Sequence, residues 1–124
     1  MRTAITTEKI APPVGPFSAA VASQGTVFVS GQVGQDPATG RLIEGGITAE
    51  AEQAFRNLAA VLAAGGKSLA DVTRVGVYLT SMADFTALNI VYAKYFEEPY
   101  PARTTVAVAA LPLGARVELD AVAH

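Results

Sequence analysis

At 124 residues the chain has room for one domain with a real core and not for two. Hydrophobic residues make up 51% and charged ones 16%, the net charge is −2, and no basic run exists to grip a phosphate backbone. Cysteine is absent and His124 is the single histidine, which excludes disulfides, thiolate catalysis, cysteine metal sites and histidine triads, so no metal site is expected.

No apolar run reaches the ~18 residues of a membrane helix, and the first residues lack a signal peptide's apolar core. The expectation is a soluble, cytoplasmic protein with neither nucleic acid nor membrane as partner. Apolar content this high in so short a chain exceeds what one monomer buries, which points to an oligomer.

In chain order, a modest β-type run surrounds Ala4-Ile5-Thr6-Thr7, and Ala11 to Pro16 is a stiff loop with three prolines and a glycine. Phe17 to Ala22 is a candidate strand and Gln24-Gly25 a turn. Thr26 to Ser30 is β-branched and aromatic, the composition of a strand. It ends in Ser30-Gly31-Gln32, where the glycine marks either a β-bulge or a place for close backbone approach by a ligand. Asp36 to Gly40 is a turn, and Arg41-Leu42-Ile43 is briefly extended.

Thr48 reads as the N-cap of a first long helix, with Glu50 and Glu52 in its first turn where the dipole favours acid. Ala51, Ala54, Phe55, Leu58, Val61 and Leu62 form its apolar stripe, and Gly65-Gly66 stops it. Ser68 to Asp71 is a short turn or cap. Val72 to Thr80 is a strand, with Val75, Val77 and Leu79 on one face and Arg74, Gly76 and Tyr78 on the other. Asp84 is placed to cap a second helix, Phe85 to Glu98, which carries Asn89 among apolar residues.

Two β-type runs close the chain, 101–109 and 115–122, separated by Ala110-Leu111-Pro112-Leu113-Gly114, whose Pro and Gly read as a hairpin. In the second run Arg116, Glu118 and Asp120 alternate with Val117, Leu119 and Ala121, the pattern of a half-buried strand. Arg103, at a strand mouth after Pro101, offers a planar guanidinium that suits a small organic acid. Glu118 offers a carboxylate for general-base work on water. The bland alternative is a solvated salt bridge of little weight. The order β-β-β-α-β-α-β-β predicts an α+β fold, one sheet with both helices on one face, leaving the other face for a partner copy.

The chain resembles the RidA/YjgF family of enamine/imine deaminases, also labelled endoribonuclease L-PSP. The resemblance rests on Gly15-Pro16-Phe17-Ser18, on Val27 to Gln32, and on Asn57-Leu58 with Val61-Leu62. It continues through Val77-Tyr78-Leu79, Asp84-Phe85, Asn89 with Tyr92, and Tyr95-Phe96. The most specific part is Pro101-Ala102-Arg103 followed by Val106, Val108-Ala109, Leu111-Pro112 and Val117-Glu118. It spans nearly the whole chain as a single domain.

The resemblance implies a chorismate-mutase-like homotrimer with clefts between subunits. It implies cofactor-free hydrolysis of 2-enamino and 2-imino acids to 2-oxo acids and ammonia. By the same resemblance Arg103 is the carboxylate-binding arginine, Glu118 orients or activates the water, and Ser30, Gly31 and Asn89 line the cleft. Phe17 stands where many members carry a tyrosine, and Thr105 where well-studied members carry a cysteine; both are taken as substrate-binding positions. The alternative is a regulatory protein that binds a carboxylate metabolite in the same cleft without turnover. The ribonuclease label finds no support in an acidic chain without a histidine pair or basic groove.

Overall fold

The computed structural model describes residues 1–124. A six-stranded sheet carries two helices. The strands are β1 (Thr3–Ile5), β2 (Ala20–Ser23), β3 (Thr26–Val33), β4 (Val72–Leu79), β5 (Ala102–Ala107) and β6 (Val117–Ala123); the helices are α1 (Gly46–Ala64) and α2 (Phe85–Tyr95). The predicted element order therefore holds. Across the sheet the strands run β1-β2-β3-β6-β4-β5, all pairs antiparallel except β4 with β5.

The expected hairpin between the last two runs does not form. β5 arrives from α2 and pairs parallel with β4, and β6 inserts between β3 and β4. Pro112–Gly114 makes a single 3₁₀ turn, with Leu113 at φ 61 and Gly114 at φ 71. Those residues do redirect the chain, but past an intervening strand. A βαβ crossover that brings a parallel strand to the edge is the ordinary way two helices and a sheet close on one another.

Alternation settles which face is buried. On β6 Val117, Leu119, Ala121 and Ala123 are buried, while Glu118, Asp120 and Val122 are half-buried. On β4 Val75, Val77 and Leu79 are opposite Ala121, Leu119 and Val117 and join the same core. α1 supplies Ala51, Ala54, Phe55, Leu58, Val61 and Leu62, all fully buried. Phe55 gathers the aromatic residues of α2 and its exit: Tyr95 stacks on it at 4.8 Å, and Tyr92 and Phe96 meet it edge-on at 5.8 and 5.9 Å. Both helices thus cover one face. The other carries Val21, Phe28, Val122, Tyr78, Val106, Glu118 and Asp120 in register, with Phe28 and Val106 exposed.

Several boundaries move for local reasons. Gly45, at φ 121, swings the chain into α1, so the helix begins at Gly46 and Thr48 lies inside it rather than capping it. Glu50 then falls on the buried stripe, not in a solvated first turn. Its Oε1 accepts from the Arg116 backbone N–H at 2.8 Å, and its Oε2 lies 3.7 Å from Arg116 Nε. Asn57, also buried, donates to the Val33 and Gln35 carbonyls and accepts from Gln53, tying the exit of β3 to α1. α2 stops at Tyr95, three residues short of Glu98, because Phe96 turns extended and buries its ring. Asp84 occupies the N-cap position of α2 but makes no side-chain bond; Ser81 instead accepts from Ala83. β2 starts at Ala20, leaving Phe17 in the preceding loop, and β3 continues past Ser30 to Val33.

Candidate active site

Arg103 and Glu118 lie on opposite faces of the sheet. Arg103 pairs with Val75, a helix-face residue, so its side chain runs under α2. Glu118 pairs with Tyr78 on the open face. Each is the centre of a separate hollow.

The Arg103 hollow, of about 300 Å³, is lined by Asn89, Tyr92, Ala93, Tyr100, Pro101 and Arg103. The guanidinium sits 4.6 Å from the ring centre of Tyr92 and 5.7 Å from that of Phe85. A cation over an aromatic face is held without its donors being consumed. The chain's two ion pairs are Lys94–Glu52 and Arg116–Glu50, so no carboxylate neutralises Arg103. Three buried polar atoms have no hydrogen-bond partner in the chain: Asn89 Oδ1, Tyr92 OH and Thr105 Oγ1. Asn89 and Tyr92 line this hollow, and Thr105 is two residues beyond Arg103 on the same face of β5. Leaving such groups unpaired costs on the order of 1–3 kcal/mol each, and the two beside the free guanidinium, on Asn89 and Tyr92, suit the hollow to a polar ligand. Burial also raises the Tyr92 phenol above its ordinary pKa against the opposing pull of Arg103, so it stays a neutral donor.

The second hollow, about 280 Å³, is formed by the proline-rich loop, β3 and β6 and includes Phe17, Gly31, Gln32, Val33, Leu113 and Glu118. Its key feature is a bulge. Val29 pairs with Ala121 and Gln32 with Leu119, so Ser30 and Gly31 together oppose Asp120 alone. Glu118 lies against the bulge so closely that a Cβ on Gly31 would come within 2.6 Å of its Oε2. Gly31 thus serves both readings the sequence left open, bulge and close approach. Burial, followed by the nearby Asp120 charge, raises the Glu118 carboxyl above its ordinary pKa. It is therefore a stronger proton acceptor than the ordinary carboxylate expected.

Ser30 is less available than its position promised. Its hydroxyl donates to the Ser18 carbonyl at 2.6 Å and its backbone N–H to the Ala19 carbonyl, so it fastens the Phe17 loop to β3. The single histidine, His124, has its Nδ1 2.8 Å from Thr26 Oγ1, far along the sheet from either hollow. Of the predicted residues, Arg103, Asn89 and Thr105 assemble on one face, and Phe17, Gly31 and Glu118 on the other. Sequence reasoning named Tyr92 beside Asn89 as part of the family resemblance but did not identify it as the platform for Arg103. Its spacing of three from Asn89 on α2 was the available signal.

Comparison with known proteins fits this architecture. The model of the endoribonuclease L-PSP family matches residues 7–124. A 2-iminobutanoate/2-iminopropanoate deaminase of Capra hircus is 44% identical over 99% of this chain and 90% of its own. The crystal structure of RidA from an Antarctic Psychrobacter superposes with a TM-score of 0.95 at 46% identity, covering 98% of each chain. That of E. coli TdcF with bound serine superposes at 0.92 and 33% identity, covering 98% of this chain and 97% of the other. No helix here is long and apolar enough to cross a membrane. With this match over almost its full length, the chain belongs to the endoribonuclease L-PSP family, the RidA/YjgF family that its motifs resemble.

Proposed function

We propose that this protein hydrolyses small 2-imino and 2-enamino acids, of the 2-iminobutanoate and 2-iminopropanoate type, to 2-oxo acids and ammonia. The observation that carries the reading is the unneutralised Arg103 guanidinium in a hollow shared with two unpaired buried polar atoms, Asn89 Oδ1 and Tyr92 OH, in a chain similar to a deaminase of that name. The substrate carboxylate pairs with Arg103, whose parallel N–H donors match its two oxygens. That contact orients the neighbouring C=N carbon. Glu118 takes a proton from a water as the water's oxygen bonds to that carbon. Glu118 hands that proton to the nitrogen, giving a carbinolamine. The carbinolamine hydroxyl proton then moves to the same nitrogen, the C–N bond breaks, ammonia leaves and the carbonyl forms. An enamine enters the sequence after protonation at its β-carbon to the imine. TdcF holds serine, a small amino acid whose carboxylate and amine lie on adjacent atoms as in such imines.

Because Arg103 and Glu118 point to opposite faces, one chain does not complete the site. The functional unit is a homotrimer of chorismate-mutase-like subunits in which each cleft joins the Arg103 hollow of one copy to the Glu118 hollow of the next. The open face, with exposed Phe28 and Val106 beside Val21 and Val122, supplies apolar area for that association. Its place of work is the cytoplasm.

The test is competition. A threonine dehydratase or an amino-acid oxidase generates the imino acid in situ, semicarbazide traps it, and this protein should restore free 2-oxo acid in preference to the semicarbazone. Oxo-acid binding by calorimetry with imine decay no faster than in buffer would replace catalysis with metabolite binding at the same cleft.

A further inference from the structure

On the open face of the sheet a second carboxylate accompanies Glu118. Asp120 follows it by two residues on β6, so both project from the same face. Asp120 is paired with Gly76, and a Cβ on Gly76 would overlap Asp120 Oδ1. The side chain therefore lies flat across β4, in space that only glycine leaves free. Its other oxygen, Oδ2, accepts a hydrogen bond of 2.9 Å from the Tyr78 hydroxyl, and Tyr78 is itself the cross-strand partner of Glu118. Neither carboxylate is in an ion pair.

The charged and titratable groups facing Glu118 are few. β6 contributes Asp120 and, at its entrance, Arg116, which is turned to Glu50 on α1. β4 contributes Tyr78 and Arg74, and Arg74 donates to Thr104 on β5 at 3.1 Å. β3, the 11–17 loop and the 111–115 turn contribute no charge at all. Within the chain, a negative neighbour fixed in place and in no ion pair disfavours a second negative charge beside it, whatever the neighbouring copy's Arg103 adds to the cleft.

We infer that Tyr78 and Asp120 are a positioning pair for Glu118, the phenol clamping the Asp120 carboxylate over Gly76 so that its charge stays fixed on the open face two residues from Glu118. The role rests on the deaminase reading for its purpose, but not for its measurement. Neither residue touches substrate; Asp120 acts through its field and Tyr78 through Asp120. The raised pKa of Glu118, owed to burial and then to Asp120, agrees with the geometry.

The experiment follows the Glu118 carboxyl carbon by NMR against pH in the full-length protein, beside the pH profile of kcat/KM for imine hydrolysis. Wild type is compared with Asp120→Asn, which keeps shape and removes charge, and with Tyr78→Phe, which keeps the ring and frees Asp120. Asp120→Asn should lower the Glu118 midpoint, and the acid limb of the rate profile with it, while the part of the shift owed to burial remains. Tyr78→Phe should move both in the same direction by less. A Glu118 midpoint unchanged in Asp120→Asn overturns the inference even if catalysis is confirmed. A shifted midpoint in a protein without turnover upholds the pair while removing the deaminase reading.

Discussion

Replacing Arg103 by lysine separates charge from geometry. Lysine keeps a cation over Tyr92 and Phe85 but offers one point donor where the guanidinium offers a planar fork. The rings stand 4.6 and 5.7 Å from the Arg103 Cζ, so much of the platform survives the change. What is lost is the second charge-assisted hydrogen bond to the substrate carboxylate, about 1.5–3 kcal/mol. At about 1.4 kcal/mol per tenfold, kcat/KM should fall roughly 10- to 150-fold. Arg103→Ala should fall further, since the cation goes as well. Fold stability should hold in both, because no carboxylate is left unpaired. Steady-state rates from the semicarbazide competition, with thermal melts run on the same samples, measure both quantities. An Arg103→Lys enzyme within about twofold of wild type would refute the bidentate clamp.

Gly31→Ala should lower kcat while leaving the fold intact, because its Cβ displaces the end of the Glu118 side chain rather than backbone; circular dichroism and kinetics together check this. Glu118→Gln should raise the melting temperature at neutral pH while abolishing turnover. The sign follows from the raised folded-state pKa: stability linked to this group is present at low pH and lost as pH rises through that pKa. The gain should therefore vanish in melts at acid pH where wild-type Glu118 is protonated. Phe55→Ala should cost about 3–5 kcal/mol in urea unfolding, as it empties the centre of the cluster that also seats the Tyr92 platform.

What the sequence disclosed was whatever local periodicity controls. The strict alternation of β6 put Glu118 and Asp120 on the face opposite Val117 and Leu119, as observed. The Gly65-Gly66 stop and the Ser68–Asp71 cap also stand, the latter as a capping box in which Asp71 accepts from the Ser68 N–H at 2.9 Å. β5 gave no such guidance. Arg103, Thr104, Thr105 and Val106 show no polar–apolar alternation, because one side meets α2 and the other lies open at a sheet edge. Strand pairing was illegible for a different reason. A Pro–Gly turn announces that the chain reverses, not which strand it lies beside, and proximity in sequence favoured a hairpin over the insertion of β6 next to β4. Glu50 was misread because an acid near a helix start has an ordinary surface explanation. Only the arrival of the Arg116 N–H from the far end of the chain gives it a buried one.

On the proposed reading no single chain completes the site, since Arg103 and Glu118 face opposite sides of one sheet. The most direct test mixes the two inactive variants, Arg103→Ala and Glu118→Ala, by co-expression under different tags. If each cleft takes its arginine from one copy and its glutamate from the next, random assembly of equal amounts leaves roughly a quarter of the clefts intact. Trimers purified through both tags each keep one intact cleft of three and should regain roughly a third of the wild-type rate. Mixed oligomers no more active than either variant alone would contradict a shared site.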